Sequence, residues 1–286
     1  MTITITTSNV NGIRAAKRKG IEQWAAKNTP DVWCMQEVRA PQNEIDPIFD
    51  EFGFEYATAG RIADQSGLDR MNEICRIKGR AGVGLLSALP VIDKRYGLPG
   101  LAEDVDSGRW IEADVKTPQG YTVTVVCVYV HAGNTDDPEK MKQKYRFLDT
   151  MLVRMGQLRD EAAHGGKQAV LCGDFNIAHT PLDIKNAKAN EKHAGFLPEE
   201  RAYVDKWLGE MAFEDVTRSG CGDIQGPYTW GSQRGRAFDN NVGWRIDYQF
   251  ATPELAETAR GFVIDKAPTY DLRWSDHAPL SITYDV

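Results

Sequence analysis

Short runs of apolar residues, several of them alternating with polar ones, recur along the whole chain and predict β-strands. These runs lie near residues 2–8, 31–36, 83–87, 109–115, 121–130, 168–173, 244–251 and 279–284. The turn-like stretch Thr117-Pro-Gln-Gly120 joins two of them and predicts an antiparallel hairpin. A purely parallel sheet is therefore not expected.

Two helices are predicted between the strands. The first covers 138–160, because an N-cap residue and a proline favoured in the first turn, Asp137 and Pro138, precede a helical repeat of apolar residues. The repeat consists of Met141, Tyr145, Leu148, Leu152, Met155 and Leu158. The second helix begins at Pro198 and should bury Val204, Trp207 and Leu208. Strands and helices without a linker or an internal repeat predict one layered α/β domain over residues 1–286.

Composition is that of an ordinary globular protein, with 42% hydrophobic and 26% charged residues. The first ten residues contain no apolar run, so we expect neither a signal peptide nor a membrane span, and a cytoplasmic location. Five cysteines show no zinc-binding spacing, and Cys34, Cys127 and Cys172 lie in apolar runs typical of the core. A net charge of −7 argues mildly against a partner held by bulk positive charge alone.

Polar side chains of similar chemistry occur at six of the predicted strands, at the ends of four of them, inside the strand at 244–251 and just before the last strand. The residues concerned are Asn9 and Asn11, Glu37, Tyr129, Asp174 and Asn176, Asp247, and Asp276 with His277. One such ending is usually a turn, since Asp and Asn are common turn residues. Six groups of this kind favour a site, because loops at one end of a sheet are where an α/β scaffold collects functional groups.

The residue types indicate the chemistry of this site. Carboxylate and amide oxygens such as those of Glu37 and Asp276 are hard ligands suited to Mg²⁺ or Mn²⁺. Asp247 could orient His277 and hold it cationic beside a phosphoryl group, although a lone histidine is more often a structural residue. The chain has no phosphate-binding loop and no serine-nucleophile motif. Metal-assisted hydrolysis of a phosphoester therefore fits best.

With this set of residues, the sequence resembles the exonuclease III family of apurinic/apyrimidinic (AP) endonucleases, within the endonuclease/exonuclease/phosphatase superfamily. The resemblance covers almost the whole chain. GDxN and SDHxP are shared across the superfamily, whereas NVNGIRA and NVGWRIDY point to its DNA-repair members. The matching segments are Asn9–Ala15, Gln36–Glu37, Gly82–Ser87, Tyr129–Gly133, Gly173–Ala178, Asn190–Arg201, Tyr228–Trp230, Asn241–Tyr248 and Ser275–Pro279.

The resemblance implies a four-layered α/β sandwich, with two mixed, mainly antiparallel sheets packed face to face and helices outside. It also implies roles for the polar residues. Glu37, Asp276 and Asn11 would bind the metal with support from Asn9; Asp174 would act on the attacking water or the leaving oxygen; Asn176 and Tyr129 would contact the phosphate; and His277, oriented by Asp247, would stabilise its charge. The cofactor would be Mg²⁺, with Mn²⁺ able to substitute.

The substrate implied by the resemblance is double-stranded DNA with abasic sites, cleaved on the 5′ side of the lesion, with 3′-5′ exonuclease and 3′-phosphodiesterase activity in addition. We expect a monomer, because nothing in the sequence suggests a larger assembly. Trp230, Trp244 and Ile246 match the apolar pocket that receives the base-less sugar, where shape and apolar contact replace base recognition. Arg14 and Arg80 would bind the DNA.

Local cations are needed for DNA binding because the total charge is negative. Three clusters adjoin site segments and would form a positive rim, whereas we interpret Lys140, Lys142 and Lys144 as solvated helix surface. The clusters are Arg14, Lys17, Arg18 and Lys19; Arg76, Lys78 and Arg80; and Arg234, Arg236 and Arg245.

Three departures and two alternatives remain open. Asn11 stands where relatives often carry Asp, and His131 and Ala132 replace a proline and a polar residue beside Tyr129. One alternative is a phosphodiesterase acting on a phospholipid or inositol phosphate, which the aromatic pocket disfavours. The other is a DNA-binding module without turnover, which the intact set of polar residues disfavours.

Overall fold

The computed structural model describes residues 1–40, 44–45, 47–48, 81–101 and 108–286. The strands in these residues are β1 (Thr2–Asn9), β2 (Val32–Gln36), β3 (Val83–Ser87), β4 (Val91–Tyr96), β5 (Trp110–Lys116), β6 (Thr122–Tyr129), β7 (Gln168–Asp174), β8 (Glu214–Asp215), β9 (Asp247–Ala251), β10 (Ala259–Ile264) and β11 (Leu280–Asp285). The α-helices are α1 (Ile13–Arg18), α2 (Ile21–Asn28), α3 (Pro138–Ala163), α4 (Ala187–Asn190), α5 (Pro198–Leu208), α6 (Val216–Cys221) and α7 (Pro253–Ala256). None of the described helices is both long and apolar enough to cross a bilayer.

The strands form two mixed sheets, as predicted. A five-stranded sheet has the order β10-β11-β1-β2-β3, and a six-stranded sheet has the order β4-β5-β6-β7-β9-β8. Each contains one parallel pair near its centre, β1 with β2 and β6 with β7, and its other pairs are antiparallel. The predicted hairpin at 109–130 is confirmed as the antiparallel pair of β5 and β6.

The two sheets pack face to face over a continuous apolar core. Side chains that alternate along the central strands point into this layer, since a strand directs successive residues to opposite faces. Cys34, Cys127 and Cys172 are buried in it as free thiols, as their apolar surroundings predicted. The predicted sandwich of two sheets is therefore confirmed.

Helices cover the outer faces of both sheets. α1 and α2 pack on the five-stranded sheet against Trp33 and Met35, and α3 packs on the six-stranded sheet through Phe147, Leu148 and Met151. The start of α3 is as predicted, because Asp137 accepts a hydrogen bond from the backbone N–H of Lys140 and Pro138 follows it. Helix α5 also begins at the predicted Pro198.

The structure corrects three details of the sequence interpretation. Strand β9 begins at Asp247, so the predicted strand at 244–251 is three residues shorter at its start. Leu208 is only partly buried, whereas Val204 and Trp207 of the same helix are fully buried. Lys144 is not solvated surface, because its side chain is completely inaccessible.

Strand register brings the chemically active ends together. Parallel pairing of β1 with β2 sets Asn9 beside Gln36, next to Glu37. In the other sheet Tyr129 lies opposite Asp174, and Asp174 lies opposite Asp247. The polar endings of four strands and the start of a fifth therefore meet at one edge of the sandwich.

Candidate active site

Asn9 connects the two sheets at the bottom of the site. Its side-chain Nδ2 donates hydrogen bonds to Glu37 Oε1 at 3.0 Å and to Asp174 Oδ2 at 2.9 Å. Its Oδ1 accepts the backbone N–H of Asn11 at 2.9 Å. Because Asn9 is fully buried, this amide fixes the distance between two carboxylates that belong to different sheets.

Tyr129 approaches Glu37 from the six-stranded sheet. The Tyr129 hydroxyl donates a 2.6 Å hydrogen bond to Glu37 Oε1. Burial, reinforced by the nearby charge of Asp174, raises the pKa of Tyr129, so the phenol is a neutral donor. The guanidinium of Arg109 lies 4.7 Å from the centre of the Tyr129 ring and donates to the Tyr129 carbonyl.

Asp276, Asn11 and Arg39 form the other side of the carboxylate site. Asn11 Nδ2 donates to Asp276 Oδ1 at 2.7 Å, and Arg39 Nη1 donates to Asn11 Oδ1 at 2.8 Å. Arg39 also forms an ion pair with Glu37. Asn11, Glu37 and Arg39 all have left-handed backbone, with φ of 46°, 55° and 52°. Such conformations are costly for residues other than glycine and are common at functional sites.

His277 lies between two buried carboxylates. Its Nδ1 is 2.8 Å from Asp247 Oδ2, and its Nε2 is 3.8 Å from Asp174 Oδ2. Burial alone would lower the pKa of His277, but the charge and hydrogen bond of Asp247 raise it to about 9. These contacts favour the cationic form of the imidazole at neutral pH.

Asp174 ends β7 in an environment that disfavours its charge. Burial raises the pKa of Asp174 to about 7, although His277 acts in the opposite direction. Asp174 Oδ1 accepts the backbone N–H of Asn176 at 2.9 Å, and Asn176 adopts a left-handed φ of 50°. Asn176 Nδ2 donates to the carbonyl of Val130, which ties this turn to the end of β6.

A cavity of about 410 Å³ collects most of the predicted residues. Its walls include Asn11, Glu37, Tyr129, Asp174, Asn176, Trp230, Trp244, Ile246, Asp276 and His277. Asn9 and Asp247 lie beneath the cavity and orient the residues that line it. Among the described residues, the side-chain ligand atoms of Asp174, Asp247 and His277 lie within 4.8 Å of one another, which places the imidazole between two carboxylates.

The apolar part of this cavity is formed by Trp230, Trp244 and Ile246. The two indole rings meet edge to face, with centroids 6.0 Å apart and planes at 90°. Trp244 forms isolated backbone bridges to Trp230 and Ile184 rather than continuing β9. Gly195 lies under the Trp244 ring, where an added Cβ would come within 2.9 Å of Cζ3. The shape of the pocket therefore depends on a glycine.

The predicted cationic rim is only partly supported. Arg14 is exposed and forms a salt bridge with Glu44, while Arg76, Lys78 and Arg80 lie outside the described residues. Arg234 and Arg236 are exposed. The prediction for Arg245 is wrong, because its side chain is fully buried and paired with Asp183 and Asp215.

Several residues around the site were missed by sequence reasoning. Arg39 and Arg109 do not belong to any of the three basic clusters from which the cationic rim was predicted. Lys144 was assigned to the surface, but it donates to the carbonyls of Ala132 and Asn176 and pairs with Glu200. The position of Arg39 two residues after Glu37 could have indicated it, whereas Lys144 left no local signal.

Comparison with known proteins identifies the family of this chain. The chain matches the family model described as the Endonuclease/Exonuclease/phosphatase family over residues 6–277 and belongs to that family. An exodeoxyribonuclease of Bacillus subtilis is 28% identical over 97% of this chain and 98% of its own length. The family match confirms the resemblance inferred from the motifs and makes this chain a hydrolase of the nuclease type.

Solved structures share the complete fold. An AP endonuclease from Archaeoglobus fulgidus is 30% identical, with a TM-score of 0.80 over 99% of this chain and 100% of that chain. A 3′ phosphatase from Neisseria, bound to a product DNA hairpin, is 26% identical, with a TM-score of 0.79 over 99% of this chain and 100% of that chain.

Proposed function

We propose that this protein is a Mg²⁺-dependent AP endonuclease of base excision repair, which hydrolyses the phosphodiester 5′ to abasic sites in duplex DNA. The observation that carries the proposal is one cavity lined by both polar catalytic groups and an apolar pocket. The names of the relatives support DNA as the substrate and AP endonuclease and exonuclease as the activities. We include 3′-5′ exonuclease and 3′-phosphodiesterase activity in the proposal.

Asp174 is proposed to handle the proton of the reaction. Its carboxylate faces the cavity and is held by the Asn9 amide and the backbone N–H of Asn176. From this position Asp174 can orient and deprotonate the attacking water or return a proton to the leaving oxygen. Asn176 is proposed to contact the phosphate, since its amide borders the same cavity.

His277 and Tyr129 are proposed to stabilise the phosphoryl group. Asp247 fixes the imidazole through Nδ1, so Nε2–H is available to a negatively charged oxygen. Tyr129 offers a neutral hydroxyl that donates to Glu37 and can turn to a phosphate oxygen. Positioned donors of this kind act most strongly where water is excluded, and both side chains are buried.

The donor set fits a hard divalent cation. Glu37 and Asp276 present carboxylate oxygens to one cavity, Asn11 adds an amide oxygen, and no thiolate is among the described residues that line this cavity. We propose that Glu37, Asp276 and Asn11 hold Mg²⁺, or Mn²⁺ in its place, with Asn9 supporting Glu37 from below. The ion would supply Lewis-acid stabilisation of phosphate charge. Arg39 donates a hydrogen bond to Asn11 and forms an ion pair with Glu37. It would therefore keep both of these proposed metal ligands in their present orientation.

Trp230, Trp244 and Ile246 are proposed to receive the base-less sugar. An extruded nucleotide without a base offers few hydrogen bonds, so an apolar wall next to the catalytic groups selects it by shape. We propose that Arg14, and Arg80 beyond the described residues, contact the DNA. We further propose that residues 1–286 act as one domain and as a cytoplasmic monomer, which the family match over residues 6–277 supports for the domain.

The test is incision of a labelled duplex that carries one tetrahydrofuran abasic analogue. Metal-dependent cleavage on the 5′ side of the analogue, abolished by chelator and absent from an undamaged duplex, is the expected result. Cleavage of both duplexes would indicate a general nuclease. If neither duplex is cleaved in the presence of Mg²⁺ or Mn²⁺, the proposal is wrong and phospholipid or inositol phosphate substrates are to be assayed.

A further inference from the structure

A second, larger groove continues from the candidate active site. Its volume is about 820 Å³, and Trp230, Asp276 and His277 border both this groove and the catalytic cavity. The described lining contains four lysine and arginine side chains, Lys19, Lys27, Lys266 and Arg273, besides the imidazole of His277, but only two carboxylates, Asp265 and Asp276. In a chain of net charge −7 this is a local reversal of sign, which favours an anionic occupant.

Two of these cations are held together on one aromatic ring. The Lys266 ammonium lies 4.9 Å and the Arg273 guanidinium 5.5 Å from the centre of the Phe238 ring. Asn241 Oδ1 accepts a 2.8 Å hydrogen bond from Lys266. The cation–π contacts restrict the conformations of both side chains in the absence of a ligand, and the hydrogen bond to Asn241 restricts Lys266 further.

Arg273 is also fixed relative to the active site. Its Nη1 donates to the carbonyl of Gly231 at 3.1 Å, and the N–H of Gly231 donates to the carbonyl of Asp276. Gly231 directly follows Trp230 of the proposed sugar pocket. The cation pair is thus connected through one short stretch of backbone to both the pocket and a proposed metal ligand.

Lys266 and Arg273 donate their hydrogen bonds to neutral oxygen atoms and not to carboxylates, so they do not form a structural salt bridge within the described residues. Partial burial and the neighbouring charge of Arg273 lower the pKa of Lys266. Two like charges held close together are stabilised when a shared anion binds between them, because each then gains a charge-assisted hydrogen bond.

We propose that Lys266 and Arg273 form a phosphate-binding site for the DNA backbone. The DNA strand that leaves the catalytic cavity runs through the groove, and this pair binds one of its phosphates. This inference rests on the proposed function, because it takes DNA as the occupant. A backbone contact carries no sequence or lesion information, so the site acts equally on damaged and undamaged duplexes. It would set the position of the duplex relative to Trp230 and His277.

The experiment measures DNA affinity in the presence of chelator, so that the substrate is not consumed. Wild-type protein, Lys266→Gln, Arg273→Gln and the double variant are titrated with two fluorescent duplexes, one with a tetrahydrofuran site and one undamaged, at several salt concentrations. The matched control is Lys116→Gln. Lys116 is exposed and pairs with Thr122, at the end of the β5–β6 hairpin away from Tyr129.

The slope of log affinity against log salt concentration is the decisive readout. One phosphate contact contributes about 0.9 to this slope, and Lys266 and Arg273 share one phosphate, so the double variant should lower the slope by about 0.9 and each single variant by a part of that. Affinity should fall by the same factor for both duplexes, and Lys116→Gln should match the wild type. Lys266→Arg should retain the wild-type slope.

The outcomes separate this inference from the proposed function. If the wild type binds and incises the abasic duplex but the Lys266 and Arg273 variants keep its salt slope, the second phosphate site is wrong and the AP endonuclease proposal stands. If affinity falls for the abasic duplex alone, the cations act on the lesion pocket and not on the backbone, which also overturns the inference. If the wild type binds neither duplex, both proposals fail.

Discussion

Lys144 and Glu200 form an ion pair 2.5 Å long in which neither side chain is accessible to solvent. Lys144 additionally donates to the carbonyls of Ala132 and Asn176, and Glu200 Oε2 accepts the backbone N–H groups of Gly195 and Leu197. This pair joins α3 to α5 behind the wall of the catalytic cavity. Three loops that border the cavity are therefore anchored to one buried pair of charges.

Replacing Lys144 by Met should destabilise the protein by about 3–5 kcal/mol, because the Glu200 carboxylate would remain buried without its partner. The free energy of unfolding in urea measures this. Lys142→Met is the matched control, since the Lys142 side chain on the same helix is 73% exposed and should change stability by less than about 0.5 kcal/mol. Equal effects of the two variants would show that the buried pair has no special role.

Adding Glu200→Gln to Lys144→Met should recover part of the lost stability. The amide oxygen of Gln can still accept the N–H groups of Gly195 and Leu197, but it carries no charge to be compensated. A double-mutant cycle on the same unfolding data checks the coupling. Simple additivity of the two substitutions would contradict the ion pair as the source of the effect.

Gly195→Ala should reduce incision of the abasic duplex by about tenfold to a hundredfold. Its Cβ would collide with Trp244 at 2.9 Å and with the Asn176 carbonyl at 3.1 Å, which displaces the pocket wall and the turn after β7. Steady-state incision of a tetrahydrofuran duplex gives kcat/KM for the comparison.

Gly165→Ala controls for backbone strain in that experiment. Gly165 also has a left-handed φ, +74° against +92° for Gly195, but a Cβ there meets nothing within 4 Å. Both substitutions should cost about 1–2 kcal/mol of stability from the left-handed backbone. The pocket explanation is wrong if the two variants lose activity to the same extent.

Asp174→Asn should lower the single-turnover rate of incision by about 10²-fold to 10⁴-fold, because the amide cannot exchange a proton with the water or the leaving oxygen. Asn can still accept the N–H of Asn176 but loses the hydrogen bond that Asp174 accepts from Asn9 Nδ2, so stability should fall somewhat while DNA affinity should change little. Asp136→Asn, at an exposed loop residue, is the control. A near-normal rate for Asp174→Asn would remove Asp174 from the proposed mechanism.

Acid should weaken the fold through Asp114. Burial would raise the pKa of this carboxyl, but hydrogen bonds from Arg95, Lys167 and Thr124 lower it from 3.8 to about 2. A lowered pKa in the folded state stabilises the protein above pH 3.8, and this contribution is lost as the pH falls towards 2. Asp114→Asn should therefore be less stable than wild type at neutral pH, and the difference should shrink below about pH 4.

Urea unfolding of wild type and Asp114→Asn at a series of pH values provides that measurement. Asp223→Asn serves as the comparison, because Asp223 is exposed. The difference between wild type and Asp223→Asn should stay small throughout. A constant difference between wild type and Asp114→Asn from pH 7 to pH 2 would rule out titration of Asp114 as its origin.

Much of the fold and site could be predicted from local patterns. Period-two and helical spacing identify β5, β6 and α3, and Asp137 with Pro138 marks where α3 begins. The polar endings at Asn9, Glu37 and Asp174 stand out because Asn and Asp are poor strand formers directly after apolar runs. Each of these patterns involves only a few neighbouring residues, so it can be recognised in the sequence without knowledge of the tertiary structure.

Predictions failed where burial depends on a distant partner. Lys144, which lies among other lysines, and Arg245 were both predicted to be surface cations. In the structure Lys144 is buried in an ion pair with Glu200, and Arg245 in one with Asp183. The start of β9 was misplaced because Trp244 pairs with Trp230 and Ile184 in isolated bridges. These contacts involve residues far apart along the chain, and no local period reports them.

The sequence by itself determined eight of the eleven described strands, the two helices that begin at Pro138 and Pro198, the hard oxygen donors, and the family to which the chain belongs, because these depend on residue types and short spacings. Only the tertiary structure decided which groups meet. The Asn9 amide joins Glu37 of one sheet to Asp174 of the other because two parallel strand pairs, one in each sheet, end at the same edge of the sandwich. Facing sheets pack through long-range apolar contacts, and it is this packing that turns separate strand endings into one site.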